Sequence, residues 1–345
     1  MKRKISLLLL FCILVQSIAL VSCSEKKNKY SAYSFEYFDT ITTITGYEKT
    51  QKEFDSVSGQ ILSELENYHR NFTIYERYEG VNNLCTVNEL SEGKHNTVKV
   101  DESVIEMLLY AKDMYDKTNG NVNVALGSVL SIWHEYREEG ISVPPMDKLK
   151  EAAEHTDISN VVIDKENLTV TLLDPGMKLD VGAIAKGYAV EMVAQKLEKQ
   201  GIDGYVINVG GNVRTIGKRG DGKKWLVGIE NPENDSNEPY FAYLELSGES
   251  LVTSGSYQRY YIVDGKKYHH IIDPDTLMPQ ENYLSVSVVC KSSALGDALS
   301  TALFCMTYEE GVELIETIPE AEAMWVFTDK TKKMSSGFEG YTTSD

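Results

Sequence analysis

The sequence predicts an α+β domain with a mostly antiparallel sheet and packed helices. Three observations carry that reading. Strand patterns follow one another through the C-terminal half instead of alternating with helices. Helical periodicity appears in separate blocks, at residues 54–68, 104–115, 183–197 and 293–316. No stretch rich in Pro, Gly or Ser interrupts residues 35–340, so a single domain is expected there.

The chain opens Met1-Lys-Arg-Lys4, continues as an apolar run from Ile5 to Val21, and reaches Leu20-Val-Ser-Cys23. A basic start, a short apolar segment and a small residue before the break describe a secretory signal over residues 1–22. Leu-Val-Ser-Cys resembles the bacterial lipobox, which implies a thioether lipid on Cys23 and attachment to the outer face of the cell membrane. Residues 23–34 then read as the lipidated cysteine and a flexible spacer.

The 345 residues hold 34 Lys and Arg against 52 Asp and Glu, a net charge of −18. Such acidity argues against nucleic acid as a partner and against direct adhesion to anionic lipid. An anionic small molecule stays possible where basic groups or a metal gather locally. Beyond Cys12 and Cys23 the chain holds Cys85, Cys290 and Cys305, with no Cys-x-x-Cys pair for zinc. No disulfide framework is expected.

Taken in order, Tyr37 to Thr45 reads as a first strand and Phe54 to Tyr68 as a helix of about four turns. A tyrosine-rich segment and a polar stretch to Asn88 follow. A second helix runs from Val104 to Tyr115 and ends at the cap signal Asn119-Gly120. Gly120 to Trp133 mixes small, amide and apolar residues and reads as a buried turn. Pro144-Pro145 opens another helical stretch, and Val161 to Leu173 reads as a hairpin. After the helix that starts near Ala183, strands are expected at 205–209, 213–216, 225–229, 240–246, 251–254, 258–263 and 284–290. Asp264-Gly265 marks a hairpin turn. Two helices, 293–306 and 308–316, precede a last strand at 323–328.

Two stretches carry chemistry. In Leu179-Asp-Val-Gly-Ala-Ile-Ala-Lys186-Gly, an apolar run turns on Gly182 into a helix whose first turn holds Lys186. A cation there opposes the helix dipole unless an anion is bound; otherwise Lys186 is a solvated lysine on an ordinary turn. In the helix capped by Ser292 or Ser293, Asp297, Ser300 and Thr301 stand at i, i+3 and i+4 and share a face. One carboxylate and two hydroxyls suit Mg²⁺, or else form a packing face with a paired aspartate. Gly210-Gly211 admits a ligand close to the backbone or makes a tight turn. His270 is a candidate general base or a structural strand histidine, and Tyr75 a candidate stacking partner.

In sequence order, Asp180-x-Gly-Ala-Ile-Ala-Lys186-Gly, Asn208-x-Gly-Gly211, Trp225-x-x-Gly-Ile229-x-x-Pro232, Thr253-Ser-Gly255, His270-Ile-Ile-Asp-Pro274 and Asp297-Ala-x-Ser-Thr301 resemble the ApbE family of FAD:protein FMN transferases. The resemblance covers roughly residues 35–330. It implies FAD as substrate and Mg²⁺ as cofactor. FMN would be joined through a phosphoester to a Thr or Ser of an exported or membrane flavoprotein, in an Asp-x-x-Thr/Ser-Gly-Ala-Thr-like motif.

It also implies roles for individual residues. Asp180 and Lys186 fall at FAD-contacting positions, and the carbonyl of Ala183 joins Asp297, Ser300 and Thr301 around the metal. Ile271 lies along the nucleotide, Tyr75 matches a flavin-stacking tyrosine, and Phe38-Asp-Thr40 falls where the family often has Met-Gly-Thr. Asn121, Val122 and Asn123 replace a ligand-contacting segment that more often carries aspartate. The catalytic roles are placed on His270, as base, and Asp180. A FAD pyrophosphatase giving FMN and AMP, and a non-catalytic flavin-binding lipoprotein, are the alternatives. Asp55-Ser-Val-Ser58-Gly59 loosely resembles the acceptor motif, but it lies in a helical pattern, so self-modification is not expected.

Overall fold

A computed structural model describes residues 27–231 and 239–343; Cys23 and Pro232 lie outside them. The chain first forms strands β1 (Asn28–Ser34) and β2 (Thr42–Glu48), then helices α1 (Gln51–Phe72) and α2 (Leu84–Ser91). Strand β3 (Thr97–Lys99), helices α3 (Glu102–Lys117), α4 (Gly127–Glu139) and α5 (Met146–Ala153), and the hairpin β4 (Val161–Asp164) and β5 (Thr169–Leu172) follow. Helix α6 (Ala185–Lys199) leads into β6 (Tyr205–Val209), β7 (Asn212–Ile216), β8 (Trp225–Glu230), β9 (Tyr240–Leu246) and β10 (Ser250–Gly255). The last part holds β11 (Tyr260–Val263), β12 (Lys266–His269), β13 (Tyr283–Cys290), α7 (Ser293–Cys305), α8 (Tyr308–Ile315), β14 (Glu322–Phe327) and β15 (Lys332–Met334).

Eight strands lie side by side in the order β1-β2-β6-β7-β10-β13-β14-β15. Every neighbouring pair is antiparallel. Strands β13 and β14 are buried on both faces, and their period-2 alternation sorts side chains between two cores. Val286, Val288, Ala323 and Trp325 join the main core with α1, α6 and α7. Val289, Met324 and Val326 face the opposite way, onto Ile229, Leu244 and Leu246 of the β8–β9 hairpin. A third core joins Val129 and Trp133 of α4 and Leu149 of α5 to Tyr261 of the β11–β12 hairpin.

Local signals set the helix ends. Thr50 and Glu53 form a capping box on α1, as Thr307 and Glu310 do on α8, and Ser292 caps α7. The mixed, mostly antiparallel architecture is the expected one, but several elements differ. Residues 28–34, read as spacer, form β1 and pair along their whole length with β2. The first strand inside the expected domain starts at Thr42 because Phe38 and Asp39 take left-handed φ values of 57° and 51°. Helix α1 has 22 residues, about six turns at 3.6 residues per turn. Helix α6 starts at Ala185, since residues 182–184 form a turn in which Ala185 N–H already donates to Val181 O. Gly127–Glu139 is a helix, not a buried turn; its Gly-Ser start hides a Val129/Trp133 packing face. Helix α2 and strand β3 had no clear periodic signal.

Cys85, Cys290 and Cys305 are buried free thiols. Among the described residues no helix is long and apolar enough to cross a membrane.

Helices α6 and α7 approach so closely that a Cβ on Gly187 would stand 2.4 Å from both Asp297 Cβ and Ser293 O. Backbone and a packed aspartate cannot yield as a flexible tip would. Gly187→Ala is therefore expected to lower stability by about 2 kcal/mol or more, read as a drop in the denaturant midpoint at unchanged slope.

Candidate functional site

The site is built around the turn that leads into α6. Asn88, on α2, brackets Leu179: its amide donates to Leu179 O (2.9 Å) and its carbonyl accepts Leu179 N–H (2.8 Å). Asp180 N–H donates to Val124 O at 2.8 Å. Gly127 backs directly onto Lys178, where a Cβ would stand 2.4 Å from the Lys178 carbonyl oxygen. The turn into α6 is thus held from two sides before any ligand is considered.

The Asp180 carboxylate accepts Gly182 N–H at 2.8 Å. Burial pushes this carboxyl up from the ordinary range, while Gly182 N–H and the charges of His134, Arg137 and Lys186 pull it back. Lys186 reaches back along its own helix. Its Nζ donates to Gly182 O at 3.3 Å and lies 3.9 Å from Asp297 Oδ1. Lys186 therefore has protein partners and stands at the carboxylate of the second motif.

On α7, Asp297 is only 4% exposed. Its Oδ2 accepts Gly187 N–H at 2.7 Å. Burial raises its carboxyl; Lys186, Gly187 N–H and the Asn212 amide oppose that rise. Ser300 Oγ donates to Asp297 O at 3.1 Å and lies 2.9 Å from Ser254 Oγ, which is 3.4 Å from Thr301 Oγ1. Ser300 and Thr301 come together with Ser254 of β10, one turn along α7 from Asp297, whose carboxylate faces Gly187 N–H and Lys186.

Among the described residues no three His, Cys, Asp or Glu side chains converge, so a metal here would rest on one carboxylate with hydroxyl and carbonyl oxygens. The donors fit Mg²⁺: all are hard oxygens, and the buried Asn212 Oδ1 beside Gly187 has no hydrogen-bond partner. Ala183 sits in the turn between Asp180 and α6, half-buried.

Basic and aromatic groups rim the turn. Tyr75 is 63% exposed, lies tilted against His134 with centroids 5.2 Å apart, and feels the charges of Asp180, Arg259, Arg137 and Asp39. His270 places Nδ1 3.3 Å from Arg259 O, and its backbone N–H donates to the same carbonyl at 3.1 Å. Burial, with Arg259, Lys186, His269 and Arg137 adding to it, pushes the imidazole down to about 3. His270 is therefore neutral, with Nδ1 protonated by this contact and Nε2 left as the acceptor. Arg259 also holds the loop before β2, donating to Asp39 O at 2.8 Å and pairing with Asp39 Oδ2 at 3.0 Å. Phe38 N–H donates to His69 Nδ1 at 3.2 Å.

The remaining expected contacts point into the fold. Ile271 is buried in the main core. Asn121 donates to Thr118 O, Val122 is 1% exposed, and Asn123 caps the short helical turn at Val124 while donating to Thr156 O. Ser58 is buried on α1 and donates to Asp55 O. Sequence reasoning missed Arg259, Arg137, His134, Asn88 and Asn212, because isolated residues far apart in the chain leave no spacing to read.

This is a single-domain α+β protein in which a carboxylate and a lysine meet between two helices, beside a basic rim and one turn from a hydroxyl cluster. The ApbE family model matches residues 38–325, and the chain belongs to the ApbE family. Over 277 residues it is 33% identical to the FAD:protein FMN transferase of Klebsiella pneumoniae (strain 342), covering 77% of this chain and 84% of that one. The FAD:protein FMN transferase of Treponema pallidum is 35% identical over 70% of each chain. The crystal structure of the ApbE protein of Thermotoga maritima superposes with a TM-score of 0.80 at 27% identity, covering 92% of this chain and all of that one.

The state of His270 has a measurable consequence. Unfolded histidine binds a proton near its ordinary 6.5, whereas folded His270 does so only at about 3. His69 and His269 are also shifted down, chiefly by burial. Below about pH 6.5 the unfolded chain takes up protons that the folded chain refuses, so stability falls with pH toward 3. Thermal melts from about pH 7 to pH 4 should show this decline, and His270→Gln should flatten it. An identical slope in the variant would remove His270 from the explanation.

Proposed function

We propose that this chain is a Mg²⁺-dependent FAD:protein FMN transferase that modifies a Thr or Ser hydroxyl of an exported or membrane flavoprotein. The observation that carries the reading is the convergence of Asp297, Lys186 and the α6 turn, in a chain whose relatives bear that activity by name. The acceptor oxygen forms a bond to the phosphorus of the FMN half of FAD. The bond from that phosphorus to the bridging oxygen breaks, and AMP leaves with the electron pair.

Lys186, Arg137 and Arg259 put positive charge around the α6 turn, where an otherwise acidic chain would repel a pyrophosphate. Mg²⁺ held by Asp297, Ser300, Thr301 and the Ala183 carbonyl would supply the remaining neutralisation of phosphoryl oxygens. The acceptor proton has two candidate destinations. His270 offers Nε2 in the neutral form, but its basicity is depressed to about 3. Burial raises Asp180 above the ordinary carboxylate range, which makes it the stronger base of the two. Tyr75, exposed at the rim, supplies an aromatic face for the flavin, and Phe38 stands beside it on the loop before β2.

We further propose that Cys23 carries the lipid that holds the domain outside the cell membrane, on the strength of Leu20-Val-Ser-Cys23. The chain enters β1 at Asn28, so the tether from Cys23 is about five residues and no longer than about 18 Å when extended. An acceptor held in the same membrane would lie within reach.

The test is intact mass of an acceptor domain incubated with FAD, Mg²⁺ and the purified chain. A gain of one FMN, abolished by EDTA and reduced on the order of 100-fold in Asp297→Ala, is expected. Release of FMN and AMP without acceptor labelling would support the pyrophosphatase instead. FAD bound and unchanged would sink both. Across a pH series, Asp180→Asn should remove the acidic limb of the transfer rate, while His270→Ala should leave that limb in place.

A further inference from the structure

Helices α6 and α7 are joined by two polar rungs, and only the first touches the site. Gly187 and Glu191 are four residues apart on α6; Ser293 and Asp297 are four apart on α7, so each pair shares a face. In the first rung Gly187 N–H donates to Asp297 Oδ2 at 2.7 Å. In the second, Ser293 N–H donates to Glu191 Oε2 at 2.8 Å. The numbers run in opposite directions, so the helices lie antiparallel at this contact, and the pair of rungs fixes their axial register.

The second rung is buried and charged. Glu191 and Arg214 are each 4% exposed. Arg214 Nε lies 3.2 Å from Glu191 Oε2, and its other nitrogens reach Glu198 Oε1 (2.9 Å) and Thr215 O. Gln195 donates to Glu191 Oε1 at 3.0 Å. Arg214 stands on β7, two residues from Asn212, whose amide borders Asp297. A buried ion pair is poor value as a stabiliser, since well-packed apolar residues of the same size do as well or better. Its best-attested use is to fix register.

We propose that Glu191 and Arg214 are positioning residues: they lock α7 against α6 and β7 in the one register that presents the oxygens of Asp297, Ser300 and Thr301 to a divalent cation. The proposal rests on the reading that this face holds Mg²⁺. Arg214 pins the Glu191 carboxylate, Glu191 pins the first N–H of α7, and Asp297 sits one turn further on. Neither residue needs to touch the metal.

The test uses Mn²⁺ as a spectroscopic probe, titrated by electron paramagnetic resonance into the full chain without FAD, with melting temperatures recorded in parallel. Ser293→Pro deletes the N–H of the second rung. It does so at the first helical position, where proline is tolerated, and Ser292 already has the extended ψ of 124° that proline requires of its predecessor. Arg214→Met removes the anchor of Glu191. The wild type should show a saturable Mn²⁺ site that Asp297→Ala abolishes. Both positioning variants should bind Mn²⁺ about tenfold more weakly when titrated well below their own melting temperatures.

The direction is informative. Deleting the Arg214 cation would by charge alone tighten a nearby divalent ion, so a loss reports geometry. Wild-type affinity in both variants would overturn the positioning role while leaving the metal reading intact. Absence of Asp297-dependent Mn²⁺ binding in the wild type would remove the metal reading, and the proposal with it.

Discussion

The hydrogen bond from Gly187 N–H to the buried Asp297 carboxylate is the contact on which the site depends. It exists because α6 has no side chain at 187, which lets α7 approach until a backbone amide meets a carboxylate at 2.7 Å. A buried carboxylate is costly unless donors surround it. Here it has Gly187 N–H, the Asn212 amide and the Lys186 ammonium. Those donors come from α6 and β7, so desolvation of one aspartate is offset by groups on two separate elements. Folding of the core and assembly of the site are the same event at this point.

The electrostatics follow from where burial falls. The whole chain is strongly acidic, yet Arg137, Arg259 and Lys186 gather around the groups of this one turn. Burial moves the two candidate bases in opposite directions, since it disfavours the charged form of each: the Asp180 carboxyl rises and the His270 imidazole falls. A histidine that stays neutral suits hydrogen-bond acceptance and orientation more than storage of a proton. The carboxylate in the α6 turn is better matched to proton uptake.

Much of this was legible in the sequence, and the legible parts share a cause. Helices α6 and α7 and strands β6, β9 and β13 carry strong periodic patterns with capping or turn residues at their ends, so their positions follow from local rules. The Asp297/Ser300/Thr301 face follows from helical spacing alone. What stayed hidden depends on distant partners. Residues 28–34 look like spacer because their composition is polar, and become β1 only because β2 offers a register to pair with. Arg259 and Asn88 act through backbone carbonyls and amides 11 and 91 residues away, which no spacing rule encodes.

The loop before β2 shows how such a hidden partner can carry strain. Two adjacent non-glycine residues, Phe38 and Asp39, hold left-handed φ, a conformation that costs of order 1 kcal/mol or more for each. Local sequence offers no relief, so tertiary contacts must compensate. His69 accepts the Phe38 N–H, Arg259 grips both the carbonyl and the carboxylate of Asp39, and Thr40 packs on Gly210, whose φ of 54° and missing Cβ leave it room. The same Arg259 presents its carbonyl to both His270 N–H groups. The strained loop and the histidine are therefore oriented by one residue, and a change that relaxed the loop would also be felt at His270.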